Sequence, residues 1–111
     1  MNNILSIDGY KAVISYDPET DMFRGEFIDL NGGADFYASD VITLKNEAQT
    51  SLRIFLEECK KRGIEPKKQF SGKFVLRVSP ETHHAAALAA QASGISLNQW
   101  AANVIAEAAR L

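Results

Sequence analysis

The order of periodicities in the last 39 residues constrains this chain more than any other feature. Residues 73–78 alternate, with Phe74, Leu76 and Val78 on one side and Lys73, Val75 and Arg77 on the other, which is the period of a β-strand. Ser79-Pro80-Glu81 then opens a helix, with Ser79 as N-cap, Pro80 at the first helical position and Glu81 at the positive end of the dipole. That helix runs through an Ala-rich stretch holding Leu88 and stops at Gly94. Ser96 and Gln99 have capping-box spacing for a second helix, whose apolar positions are Leu97, Trp100, Ala101, Val104, Ile105 and Ala108. A lone strand leaves N–H and C=O groups unpaired on both edges, and so short a segment buries too little apolar surface to fold alone. Two copies remove both problems by pairing their strands antiparallel and interleaving their helices. The expected core of such a dimer is Phe74, Leu76, Val78, Leu88, Trp100, Val104 and Ile105. Dimerisation is then obligatory, and further pairing of dimers is left open. In the competing arrangement, 73–78 is one more strand of a sheet built upstream and the two helices are ordinary packing. Periodicity alone leaves both standing.

Charge is distributed unevenly behind a net of −2. Residues 1–59 carry four Lys/Arg and eleven Asp/Glu, a balance of −7. Residues 60–77 carry seven Lys/Arg against Glu65 alone, a balance of +6, and residues 78–111 balance at −1. An acidic half followed by a short basic segment predicts two surfaces with different partners.

Upstream the chain predicts an α+β domain. Tyr10 to Tyr16 alternates as a strand, Asp17-Pro18-Glu19-Thr20-Asp21 is turn chemistry, and Phe23 to Ile28 is the returning strand. Asn31-Gly32-Gly33 makes a further turn into a third strand over Asp35 to Ser39, so a three-stranded meander is expected. From Thr43, the expected N-cap, the period becomes helical, with Leu44, Ala48, Leu52, Phe55, Leu56 and Cys59 in one stripe. Lys60, Lys61 and Arg62 suit the negative end of that helix, and Gly63 and Pro66 end it. The expected organisation is an α+β domain over 1–66, a linker over 67–72, and a strand-helix-helix module over 73–111.

A two-stranded ribbon fits the major groove of B-DNA, where base edges carry a unique donor and acceptor code. Lys73 and Arg77 of each copy would reach guanine edges from the open side of the ribbon, and Val75 would touch a thymine methyl. The second helix begins with first-turn N–H groups at Ser96, Leu97 and Asn98, suited to a phosphate. Lys67 and Lys68 are candidates for phosphate contacts flanking that site, beside the plainer role of a solvated linker.

These residues resemble a known family. The run from Phe70-Ser71-Gly72-Lys73-Phe74 through Arg77-Val78-Ser79-Pro80-Glu81 to His83, followed by Gly94-Ile95-Ser96-Leu97-Asn98-Gln99-Trp100, is similar to the HicB antitoxins that end in a ribbon-helix-helix. Upstream, Gly9-Tyr10, Tyr16-Asp17, Phe23-Arg24-Gly25 and the Ser51-Leu52, Phe55-Leu56 and Cys59 helix match as well. The resemblance implies an N-terminal domain like a partial RNase H fold that neutralises a HicA-type mRNA-cleaving toxin. It also implies a C-terminal dimer that represses its own operon by binding operator DNA. By position it gives Lys73, Val75 and Arg77 the base-reading role and Ser96 and Asn98 the phosphate side. Val75 offers no hydrogen bond, so which bases are read stays open. A stand-alone ribbon-helix-helix repressor without a toxin is the alternative.

Catalysis is the weaker expectation. An RNase H-like nuclease needs carboxylates converging on two metals, whereas Asp17, Glu19, Asp21, Asp29 and Asp35 fall in or beside turns and Glu26 stands alone on a strand. His83 and His84 are about 100° apart on a helix and cannot chelate one metal together. Neither Ser71-Gly72 nor Gly32-Gly33 has a phosphate-loop pattern. No enzyme activity, cofactor or metal is expected. Trp100 could stack on a base, but its spacing with Leu97, Val104 and Ile105 places it in the dimer core. The opening MNNILSIDGY lacks the basic start and apolar block of a secretion signal, and no apolar run reaches the ~18–20 residues of a membrane span. The single Cys59 can form no internal disulfide and reads as a small core hydrophobe. A cytoplasmic protein is the expectation.

Overall fold

A computed structural model describes residues 3–110. The chain divides into two compact units, Met1–Ser71 and Gly72–Leu111.

The first unit is α+β. Strands β1 (Ile4–Ile7), β2 (Tyr10–Asp17), β3 (Met22–Phe27) and β4 (Asp35–Ala38) form one antiparallel sheet in the order β1-β2-β3-β4, followed by helix α1 (Val41–Arg62). The expected meander of three strands is therefore one of four. Asp8 and Gly9 take positive φ of 49° and 84°, which is the backbone of a two-residue hairpin turn whose twist matches that of its strands. That turn folds Ile4–Ile7 back onto β2, with Leu5 opposite Ala12 and Ile7 opposite Tyr10.

Alternation sorts the sheet into two faces. Leu5, Ile7, Ala12, Ile14, Gly25, Phe27, Phe36 and Ala38 point toward α1, whose buried residues Leu44, Ala48 and Leu52 complete the core. Phe55 and Leu56 pack against that core and Cys59 is buried, so the stripe expected for the helix is the one it buries. Phe36 lies directly across Gly25, its ring filling the space that a Cβ would occupy, and it packs on Phe27 with ring centroids 5.5 Å apart.

The cap of α1 corrects the sequence expectation. Asp40, not Thr43, is the N-cap: its carboxylate accepts from the Thr43 backbone N–H at 2.7 Å and from the Thr43 hydroxyl at 2.9 Å. Those two bonds hold the Asp40 carboxyl below its ordinary pKa. The far end closes as expected, with Gly63 at φ 67° and Lys60, Lys61 and Arg62 in the last turn. Beyond it the chain stays on the sheet. Asn31 N–H donates to Pro66 C=O at 2.8 Å, Lys68 N–H donates to Asp29 C=O at 3.0 Å, and Leu30 bridges Lys67.

The second unit holds α2 (Pro80–Ala92) and α3 (Leu97–Ala108). Both caps follow the sequence. Ser79 accepts from Thr82 N–H at 3.2 Å with Pro80 in the first turn, and Ser96 accepts from Gln99 N–H at 3.0 Å. The reciprocal arm of the capping box is diverted, because the Gln99 side-chain amide donates forward to Asn103 at 2.7 Å. Gly94 at φ 72° makes the turn between the helices. Residues 73–78 join neither a helix nor a strand in the single chain, so the expected strand is unformed here. The fourth strand of the sheet is Ile4–Ile7, and 73–78 is not part of it. A strand exists only against a partner strand, and one copy of this unit supplies none.

Candidate nucleic-acid interface

The second unit is apolar where it meets solvent. Of its described residues only Ala90 is buried. Phe74 is 72% exposed and Leu76 62%, and Val78, Leu88, Val104 and Ile105 are also classed as exposed. Trp100 is half-buried. Leu76, Val78, Trp100, Val104 and Ile105 come together along a groove of about 300 Å³, with His83 and Thr82 on its wall. Six of the seven residues expected in the dimer core are thus exposed in one chain, and five of the seven line a single concavity. Exposed apolar faces of this kind are a common feature of interaction surfaces and ligand grooves.

Lys73, Val75 and Arg77 lie in the same irregular segment and are exposed, Val75 at 88%. Ser96 uses its hydroxyl to cap α3. The N–H groups of Leu97 and Asn98 begin that helix, whose first turn contains no acid, so its dipole is uncompensated by a local carboxylate. Lys67 and Lys68 sit within the first unit. The Lys67 ammonium lies 5.3 Å from the Tyr10 ring centroid and that of Lys68 lies 5.5 Å from the Phe70 ring.

The carboxylates of the first unit are spent individually. Asp8 and Asp21 hold positive-φ turn positions, Asp17 accepts from Glu19 N–H at 3.0 Å, and Asp40 caps α1. Glu26 and Asp35 flank Arg24, whose Nη2 lies 2.8 Å from one and 3.2 Å from the other. The hydrogen bond to Asp35 raises the Arg24 pKa first, and the charge of Glu26 adds to it. Asp21 accepts from Tyr16 Oη at 2.6 Å, which raises the phenol's pKa, with burial and the charge of Asp17 adding to it. Among the described residues no three His, Cys, Asp or Glu side chains converge on a site that could hold a metal. No described helix is long and apolar enough to cross a membrane.

One surface escaped the sequence reading. At the β1–β2 side the inner face of the sheet is incompletely covered, leaving a groove of about 390 Å³ lined by Leu5, Ile14, Tyr16, Phe23, Val41 and Leu44 among others. The signal that could have revealed it is Asp8-Gly9 between apolar runs, the sequence of a two-residue hairpin.

A capped helix pair with an exposed apolar groove, preceded by an alternating segment outside any strand and by an α+β unit, is the class of protein these features define. The family model described as the HicB family matches residues 55–105, from the end of α1 to the last turns of α3. Over that stretch, a little under half of the chain, the protein is similar to the HicB family. No curated protein and no solved structure matches it.

Proposed function

We propose that this chain is an antitoxin that neutralises a HicA-type mRNA-cleaving toxin and represses its own operon by binding operator DNA as a homodimer. The observation that carries the proposal is the second unit's exposed apolar groove, lined in part by Leu76 and Val78 of an alternating segment that belongs to no strand or helix. A second copy supplies what is missing on both counts. Its 73–78 segment pairs with the first, and the apolar sides of the two ribbons and helices cover Leu76, Val78, Trp100, Val104 and Ile105. Lys73, Val75 and Arg77 then stand together on the open side of a ribbon, the position from which side chains read the major groove. Leu97 and Asn98 N–H groups at the start of α3 hold a phosphate, which fixes register without reading sequence. The acidic first unit opposes a basic RNA-binding toxin, where complementary charge speeds encounter and biases partner choice.

Sedimentation of the full chain at micromolar concentration, followed by titration with operator and scrambled duplexes, tests the DNA half. A dimer that prefers the operator is expected, and a folded monomer would overturn it. Rescue of toxin-expressing cells by a chain ending at Ser71 tests the other half. Rescue without repression is expected, and rescue that needs residues 73–111 would relocate the inhibitory surface.

A further inference from the structure

β1 is a terminal strand of the sheet. Ile14 N–H donates to Asn3 C=O at 2.8 Å, which marks Asn3 and Ile14 as a hydrogen-bonded pair. Bonded pairs recur every second residue in an antiparallel ladder, so Leu5 with Ala12 and Ile7 with Tyr10 are the next two. The backbone N–H and C=O groups of Ile4 and Ser6 therefore point away from β2, along an edge that no strand of the sheet occupies. Beside this edge lies the 390 Å³ groove, mainly apolar with Asn3, Ser15 and Lys45 also lining it, large enough for one or two big aliphatic side chains. Its Tyr16 end is acidic: the Tyr16 hydroxyl donates to Asp21, and Asp17 and Glu19 share the same hairpin tip, which carries no Lys or Arg.

We propose that the β1 edge docks an extended strand of a basic protein partner, which hydrogen-bonds to Ile4 and Ser6 and seats an apolar side chain in the groove between β1 and α1. Main-chain bonding supplies affinity in strand addition, and alternate side chains supply specificity. The partner's alternation places every second residue on the groove side. Its lysines or arginines meet Asp17, Glu19 and Asp21, and that complementarity is what selects a basic occupant over a second copy of this acidic unit. The inference deepens the antitoxin reading and takes the toxin as that partner, but the docking site stands on the sheet edge alone.

Two variants separate the edge from the groove. Ser6→Pro deletes an outward N–H while leaving the inward bonds of Leu5 and Ile7, a substitution that edge strands tolerate. Val41→Asp puts a charge on the rim at a side chain already 57% exposed, in a first helical turn where a carboxylate suits the dipole. The full chain and both variants are titrated with a HicA-type toxin. Binding by the wild type with at least about tenfold weakening in each variant supports the site. Binding that stays within about twofold in both variants overturns the site while leaving the antitoxin reading intact. If the wild type does not bind the toxin, the antitoxin reading fails and a synthetic decapeptide of alternating lysine and valine decides the site. Amide resonances of Ile4, Ser6 and Tyr16 that shift in the wild type and not in Ser6→Pro support it. Shifts elsewhere, or none, overturn it.

Discussion

Gly25→Ala tests the tightest contact in the first unit. A Cβ on Gly25 would lie 2.1 Å from Phe36 Cζ, 2.2 Å from Cε2 and 2.8 Å from Cε1. Ordinary contact requires the ring to retreat by more than an ångström, yet Phe36 is only 4% exposed and packs on Phe27. If the ring stays, the cost is that of overpacking, about 1–3 kcal/mol. If it is expelled, the cost is the lost burial of a phenylalanine, about 3–5 kcal/mol. The molecule takes the cheaper route, so a loss of about 1–3 kcal/mol is expected. Urea unfolding followed by far-UV circular dichroism measures it, while the fluorescence of Trp100, the only tryptophan, reports the second unit separately. The decisive comparison is the double variant. Once Phe36→Ala has removed the ring, adding Gly25→Ala should cost almost nothing, giving a coupling of about 1–3 kcal/mol. Additive losses would refute the argument, because the penalty at Gly25 would then not arise from the Phe36 ring.

Trp100→Ala should destabilise the proposed dimer by roughly 3–5 kcal/mol and make the protein monomeric at micromolar concentration; an unchanged sedimentation coefficient and Tm would place Trp100 outside the interface. Arg77→Ala should cost ~1–3 kcal/mol on operator DNA and relax discrimination at one base, measured against a scrambled duplex at several salt concentrations. Equal losses on both duplexes would mean that Arg77 positions the protein without reading sequence. Asp40→Ala should lower the Tm of the first unit at neutral pH. Because the folded pKa of Asp40 is depressed, its contribution is present above the ordinary value of 3.8 and is lost as pH falls through the lowered one, so the difference from wild type should narrow there. A constant difference down to that range would show that capping by the ionised carboxylate is not what Asp40 supplies.

Much of the fold was legible because its signals are local. The Ser79-Pro80-Glu81 start, the Ser96 cap and the Leu44-to-Cys59 stripe depend on residues within a few positions of one another, and the structure reproduces each. β1 was missed because it is only four residues long and opens with two consecutive apolar residues, Ile4 and Leu5, both partly buried, so alternation shows only from Leu5 to Ile7. The start of α1 was misplaced because its first two residues, Val41 and Ile42, are exposed apolar groups ahead of the buried stripe. Val41 also lines the β1 groove, so the local pattern failed where the side chains face outward. The alternation of 73–78 was plain, but the segment joins no strand in the single chain, and the pairing proposed for it needs a second copy.

That Ala90 is the one buried residue among those described in the second unit has, on the proposed dimer, a consequence for gene dosage. A module that acquires its core only by association, as the proposed dimer does, forms in proportion to the square of the free chain concentration while dimers are scarce. Halving the supply of chain then cuts the DNA-competent species about fourfold by the same mass action. On the proposed dimer, a unit that buries only Ala90 among its described residues would turn a linear change in synthesis into a steeper change in promoter occupancy.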